Sequence, residues 1–206
     1  MEELGLKGPT SLFEYFESKR LQSLTDIVRK IQIRIDDTIV KGVDHNLHML
    51  HEDVFSYHYR LYEFKNDIFK RRAMRFLHTI QTSNEILFIR ILPFNTEFNT
   101  ECPTEKEIND FCDAVRLINP KILITFLLVQ TISKESVQKE LDTSLLNPKI
   151  HLLHRFFYIE DCHPTTLIEN NRERTYVGDF LRKNITIQTL FKEYLKEAGF
   201  VPTTSQ

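Results

Sequence analysis

An α/β domain built on a parallel sheet is the fold class this sequence predicts, and three observations predict it. Ile122 to Ile132 is a continuous β-branched and aliphatic run, the pattern of a strand buried on both faces. Two further apolar runs lie before and after it, near residues 86–92 and 149–160. Capping and breaking residues punctuate the whole stretch: Thr104-x-x-Glu107, Asn119-Pro120 and Asn147-Pro148. Strand, helix, strand, helix, strand in that order implies a parallel sheet of at least three strands, at about 86–92, 121–132 and 149–160, with right-handed crossovers.

From the N-terminus, Leu4 to Lys7 reads as the tail of a helix broken by Gly8-Pro9. Ser11-x-x-Glu14 is a capping box that predicts a short helix holding Leu12, Phe13 and Phe16. A second helix, from about Leu24 to Ile33, turns Leu24, Ile27, Val28 and Ile31 inward and ends at Asp36-Asp37. Thr38 to Val40 suits a short strand before Gly42. His45 to Tyr59 is the least regular part, a loop or a loop plus a short strand, and is rich in histidine. Phe64, Ile68, Phe69, Ala73, Phe76, Leu77 and Ile80 then recur at helical spacing and form one apolar arc. At ~100° per residue Arg72 falls inside that arc, with Arg71 and Arg75 on its edge. A guanidinium on the core side is costly unless a carboxylate or several carbonyls meet it.

After the strand ILFIRI, which ends near Arg90, residues 93–103 form a polar loop. Thr104 opens a helix with Ile108, Phe111, Cys112, Val115 and Ile118 on one face, stopped by Asn119-Pro120. Ser133 is positioned to cap a short helix through Val137, Leu141 and Leu145. Asp161 to Asp179 is polar and irregular. Thr186 caps a last helix carrying Leu190, Phe191, Tyr194 and Leu195, with Gly199 as its stop. No repeat and no low-complexity segment is read. The organisation predicted is one domain: residues 1–54 helical and irregular, 55–200 the α/β core, 201–206 a tail.

Composition narrows the function classes. A chain of 206 residues, 41% apolar and 27% charged, has enough material for a real hydrophobic core. A net charge of −2 supplies no general attraction to nucleic acid or to an anionic membrane, so neither is expected as a partner. Three cysteines cannot all pair within the chain, which points to a reducing compartment. The acidic start lacks the basic and apolar regions of a secretory signal, and the longest apolar segment falls well short of the ~20 residues that span a bilayer. A cytoplasmic protein is the expectation.

In an open parallel sheet, ligands bind beyond the carboxyl ends of the strands. That rule selects Arg90 and Asn95 after the first strand, Gln130 and Thr131 after the second, and Glu160, Asp161, Cys162 and His163 after the third. Arg90 suits two-toothed binding of a carboxylate or phosphate, or else pairs with an acidic neighbour such as Glu160 and closes the sheet. Cys162 and His163 are adjacent and point apart in extended chain, so His58 is the better base for that thiol. Cys112 reads as a packed thiol and Cys102 as an incidental one. His45, His48 and His51 match no recognised zinc spacing, though on a helix His48 and His51 would share a face. Five scattered glycines exclude a Rossmann fingerprint or a P-loop, and no G-x-S-x-G elbow is present. No metal and no cofactor are expected.

Four segments taken together carry a resemblance: LGLKGPTSLFEYF (Leu4 to Phe16), SYHY (Ser56 to Tyr59), the basic run from Phe64 to Phe76, and ILFIRI (Ile86 to Ile91). In these the chain resembles a family of bacteria and large viruses predicted to be papain-like cysteine peptidases, with coverage of roughly its first half. The resemblance implies His58 as general base. The family's nucleophile, a cysteine in a Gly-x-x-Cys motif just before the Leu-Gly-Leu segment, has no counterpart here, and no residue carries over in its place. The implication is a truncated member or a branch without that chemistry.

The leading expectation is therefore a peptidase-related hydrolase fold, acting on a peptide or small-molecule ligand. His58 and Cys162 are its candidate catalytic pair; Arg72, Arg90 and Asp161 are its candidate substrate-binding residues. If active, it attacks a carbonyl carbon as a thiolate, with His58 taking and returning the proton. The alternatives are a transferase or binding domain for a phosphorylated or sugar-nucleotide ligand, and a non-catalytic interaction module.

Overall fold

The computed structural model describes residues 12–13, 16–33, 48–51, 54–56, 68–92, 101–132, 138–158, 185–197 and 199. Its elements, in chain order, are β1 (Phe16–Ser18), α1 (Leu21–Ile33), β2 (His48–His51), β3 (Val54–Ser56), α2 (Ile68–Thr82), β4 (Glu85–Leu92), α3 (Glu105–Arg116), β5 (Leu123–Ile132), a 3-10 turn (Thr143–Leu145), β6 (Ile150–Tyr158) and α4 (Ile185–Glu197). The architecture is α/β, with β4, β5 and β6 forming the parallel sheet that the apolar runs predicted.

Strand β5 is central among the described strands, which is why its sequence has no polar face. Ile124, Phe126 and Leu128 are buried against α3, and Leu127 and Val129 are buried on the other side. Phe111 of α3 meets Phe88 of β4 and Phe126 of β5 edge-on, with ring centroids 4.9 and 6.0 Å apart. On the far face Arg155 of β6 lies over the Tyr194 ring and pairs with Glu197, fastening α4 there. The apolar stripe of α1, Leu21, Ile27, Val28 and Ile31, completes the α3 layer, and Gln32 Nε2 donates to the Ala114 carbonyl at 2.8 Å.

The helix starting at Glu105 is set by the predicted capping box. Thr104 Oγ1 accepts from the Glu107 N–H at 3.3 Å, and the Glu107 carboxylate accepts from the Thr104 N–H at 2.9 Å. Thr104→Ala is expected to cost ~1 kcal/mol in urea denaturation, because it orphans a first-turn donor. A loss below a few tenths would mean that packing alone holds the start of α3.

The same Asn-Pro-Lys-Ile turn feeds both β5 and β6, a short repeat that reading by composition passed over. Asn119 and Asn147 each accept, through Oδ1, from the N–H two residues on (Lys121 and Lys149), at 3.1 and 3.0 Å. Their carbonyls accept from Ile122 and Ile150 at 3.2 and 2.8 Å. Asn119 also donates to the Ile80 and Ser83 carbonyls, which ties the end of α2 to the start of the sheet.

Several local expectations are corrected. Leu12 and Phe13 lie in a turn and Phe16 begins a strand, so the described residues are not on the short capped helix expected there; Ser11 and Glu14 lie outside the described residues. Backbone pairing across Phe16↔Ser56 and Ser18↔Val54 takes these residues into a three-stranded antiparallel sheet of order β1-β3-β2. His48 and His51 sit on β2, so no helix places them on one face. Leu141 and Leu145 are not on a helix capped by Ser133. Residues 138–142 are irregular and Leu145 is in the 3-10 turn, since the segment satisfies its backbone on α3 side chains instead. The Asp142 N–H donates to Glu105, the Asn147 N–H donates to Asn109, and Asn109 donates to the Leu145 carbonyl. Thr186 is inside the first turn of α4, which begins at Ile185. Gly199, at φ +84°, takes the left-handed conformation predicted for a helix stop. The readings at 4–7, 36–40, 64 and 161–179 lie outside the described residues.

Candidate functional site

Arg90 is the one predicted site residue whose surroundings are fully drawn. It sits two residues before the end of β4, and strand alternation with Phe88 and Leu92 turns it to the α3 face. It is 9% exposed. Nη1 donates to the Ser18 hydroxyl at 2.8 Å, and Nη2 donates to the Ser18 and Lys19 carbonyls at 3.1 and 3.4 Å. The Lys19 carbonyl also accepts from the Glu101 N–H at 3.0 Å, so one guanidinium fastens β4 to β1 and to the loop entering α3. Nε has no acceptor among the described residues.

Burial pulls the Arg90 pKa down to about 10, while Glu107 and then Cys102 favour the charged form. The group is still a cation at neutral pH, and its acceptors are carbonyls and a hydroxyl, not a carboxylate. Nearby, Glu101 lies 3.3 Å from Arg20 and 3.9 Å from Lys19 at the exposed rim.

The described thiols are not activated. Partial desolvation raises Cys102, and Arg90 only partly offsets it because Glu105 and Glu107 push the other way. Burial pushes Cys112 up to about 12. Both are protonated at pH 7, whereas the thiolate is the nucleophile. Among the described residues no group of three or more His, Cys, Asp or Glu side chains is placed to hold a metal ion, and no helix is long and apolar enough to cross a membrane.

Arg72 is half-buried on α2, with Ala73, Phe76 and Ile80 buried beside it and Arg71 and Arg75 exposed, as the arc predicted. His58, Asp161 and Cys162, with Glu160 and His163, lie outside the described residues. The described strands run β4-β5-β6 in chain order, with α3 and the segment 138–149 crossing on one face. They contain no reversal of strand order, the feature that normally opens a ligand crevice in such sheets.

Two residues escaped sequence reasoning. Ser18 carries no local signal, because its role depends on a partner 72 positions away. His154 was findable: it follows Ile150 and Leu152 at two-residue spacing, on the buried side of β6.

These features define the class: an α/β domain with a short parallel sheet and a buried arginine at its carboxyl end. Comparison with models of known families, with curated proteins and with solved structures finds no match for this chain.

Proposed function

We propose that the chain is a non-cleaving relative of papain-like cysteine peptidases, a domain that binds a peptide or small carboxylate-bearing ligand at the carboxyl end of its sheet. The observation that carries this reading is the use of Arg90: its Nη donors are taken by the Ser18 hydroxyl and the Ser18 and Lys19 carbonyls, so it builds the wall of a site instead of gripping a reacting group. Arg72, a half-buried cation on α2, is the residue this reading assigns to the ligand. Cys102 and Cys112 are both protonated and offer no thiolate, which leaves Cys162 as the thiol the test must read. A phosphorylated ligand is disfavoured at the natural anion seat, the start of α3, because the capping box already takes the Thr104 and Glu107 N–H groups and sets the Glu107 carboxylate there.

Thiol reactivity is the test. With an epoxide-type cysteine peptidase probe at pH 7, the full chain is expected to react no faster than free cysteine. Rapid, stoichiometric labelling of Cys162 that disappears in His58→Ala would make the chain an active peptidase and end this reading. In a thermal shift screen, a pool of short peptides is expected to stabilise the chain, and Arg72→Ala to lose that shift. A shift with sugar nucleotides alone would favour the transferase.

A further inference from the structure

His154 occupies the row that crosses the sheet as Arg90, Leu128 and His154, on the face packed by α3. Its ring centroid lies 4.4 Å from that of Phe156. Both ring nitrogens are buried, and neither has a hydrogen-bond partner among the described residues. A neutral imidazole in that setting forgoes one donor and one acceptor; an imidazolium would leave two donors and a full charge unmet.

The charged groups near it among the described residues are Glu140, Arg155 and Arg90. Glu140 lies on the crossover segment 138–142 and is exposed, Arg155 is the next residue of β6, and Arg90 is two strands away in the same row. Desolvation is the largest influence and keeps the imidazole below its usual 6.5; Glu140 opposes it and Arg155 reinforces it. The crossover is held to the α3 layer by Leu141 and Leu146 and by bonds at exposed positions, the Asp142 N–H to Glu105 and Asn109 Nδ2 to the Leu145 carbonyl. Exposed hydrogen bonds of that kind are among the first to open in a native protein. Strand β6 pairs only with β5 among the described strands.

We propose that His154 is an acid-sensitive latch: its protonation frees the crossover segment 138–146 and β6 from the α3 layer, while β4 and β5 stay packed. The imidazolium finds water only by leaving the core side, and the strand that carries it is an edge of the described parallel sheet. Because the closed form binds fewer protons than the open one, closure is complete above pH 6.5. It weakens as pH falls below that value, by up to about tenfold in the opening equilibrium per pH unit.

Hydrogen exchange on the full chain at pH 7.5 and 5.5, corrected for intrinsic rates, reads this directly. Protection across 138–146 and 150–158 is expected to fall several-fold relative to β5 at the lower pH, and His154→Leu is expected to abolish the difference. An equal fall in His154→Leu would overturn the latch. So would an NMR titration of His154 in the unaltered chain with a midpoint at or above 6.5, a result that needs no variant to fold.

Discussion

Arg90→Ala is expected to cost about 3 kcal/mol of unfolding free energy, read as a lower urea midpoint at constant m. The substitution strips the donor from the Ser18 hydroxyl and from two carbonyls, all at the junction of β1, β4 and the loop before α3. Acceptors left dry at such a site lose more than the net worth of the bonds themselves. Arg90→Lys should recover only part of the loss, since one ammonium cannot span the hydroxyl and both carbonyls in a fixed fork. Arg90→Met separates two contributions: it removes the buried charge while keeping most of the volume, so it should cost less than alanine. A near-neutral Arg90→Ala would show that the guanidinium serves a ligand and not the fold, and would remove the support on which the proposed function stands.

Phe111→Ala is expected to be at least as damaging, about 4 kcal/mol by the same measurement. The ring is 2% exposed and touches three parts of the chain: Phe88 on β4, Phe126 on β5 and Phe13, whose centroid lies 6.2 Å away. Truncation therefore opens a void between α3 and two strands that backbone pairing holds in place, and little can collapse into it. Phe111→Leu should cost markedly less. A loss under about 1.5 kcal/mol for alanine would mean the α3 layer is far more adaptable than its edge-on ring packing implies.

What could be read in advance divides along range of interaction. The β5 run was legible because a strand covered on both faces must be apolar throughout, and the start of α3 because Thr104 and Glu107 satisfy each other within one turn. The arc of α2 was legible for the same local reason, down to the half-buried Arg72. The β1-β3-β2 sheet was not: its strands are three or four residues long and exist through pairing with distant backbone. Segment 138–146 misled because its capping residues suggested a helix, whereas Glu105 and Asn109 of α3 offered its backbone better partners. At the site, Arg90 was legible as a cation at a strand end, but not that the Ser18 hydroxyl and two carbonyls would meet it.

The order β4-β5-β6 has a consequence for biosynthesis. As the chain leaves the ribosome, each of these strands can settle beside the one just finished, and none has to be threaded between two already in place. The N-terminal segment is different: Ser18 and Lys19 must wait for Arg90 to emerge before they can dock. The last of the three strands then completes the core, bringing Ile150 and Leu152 to it.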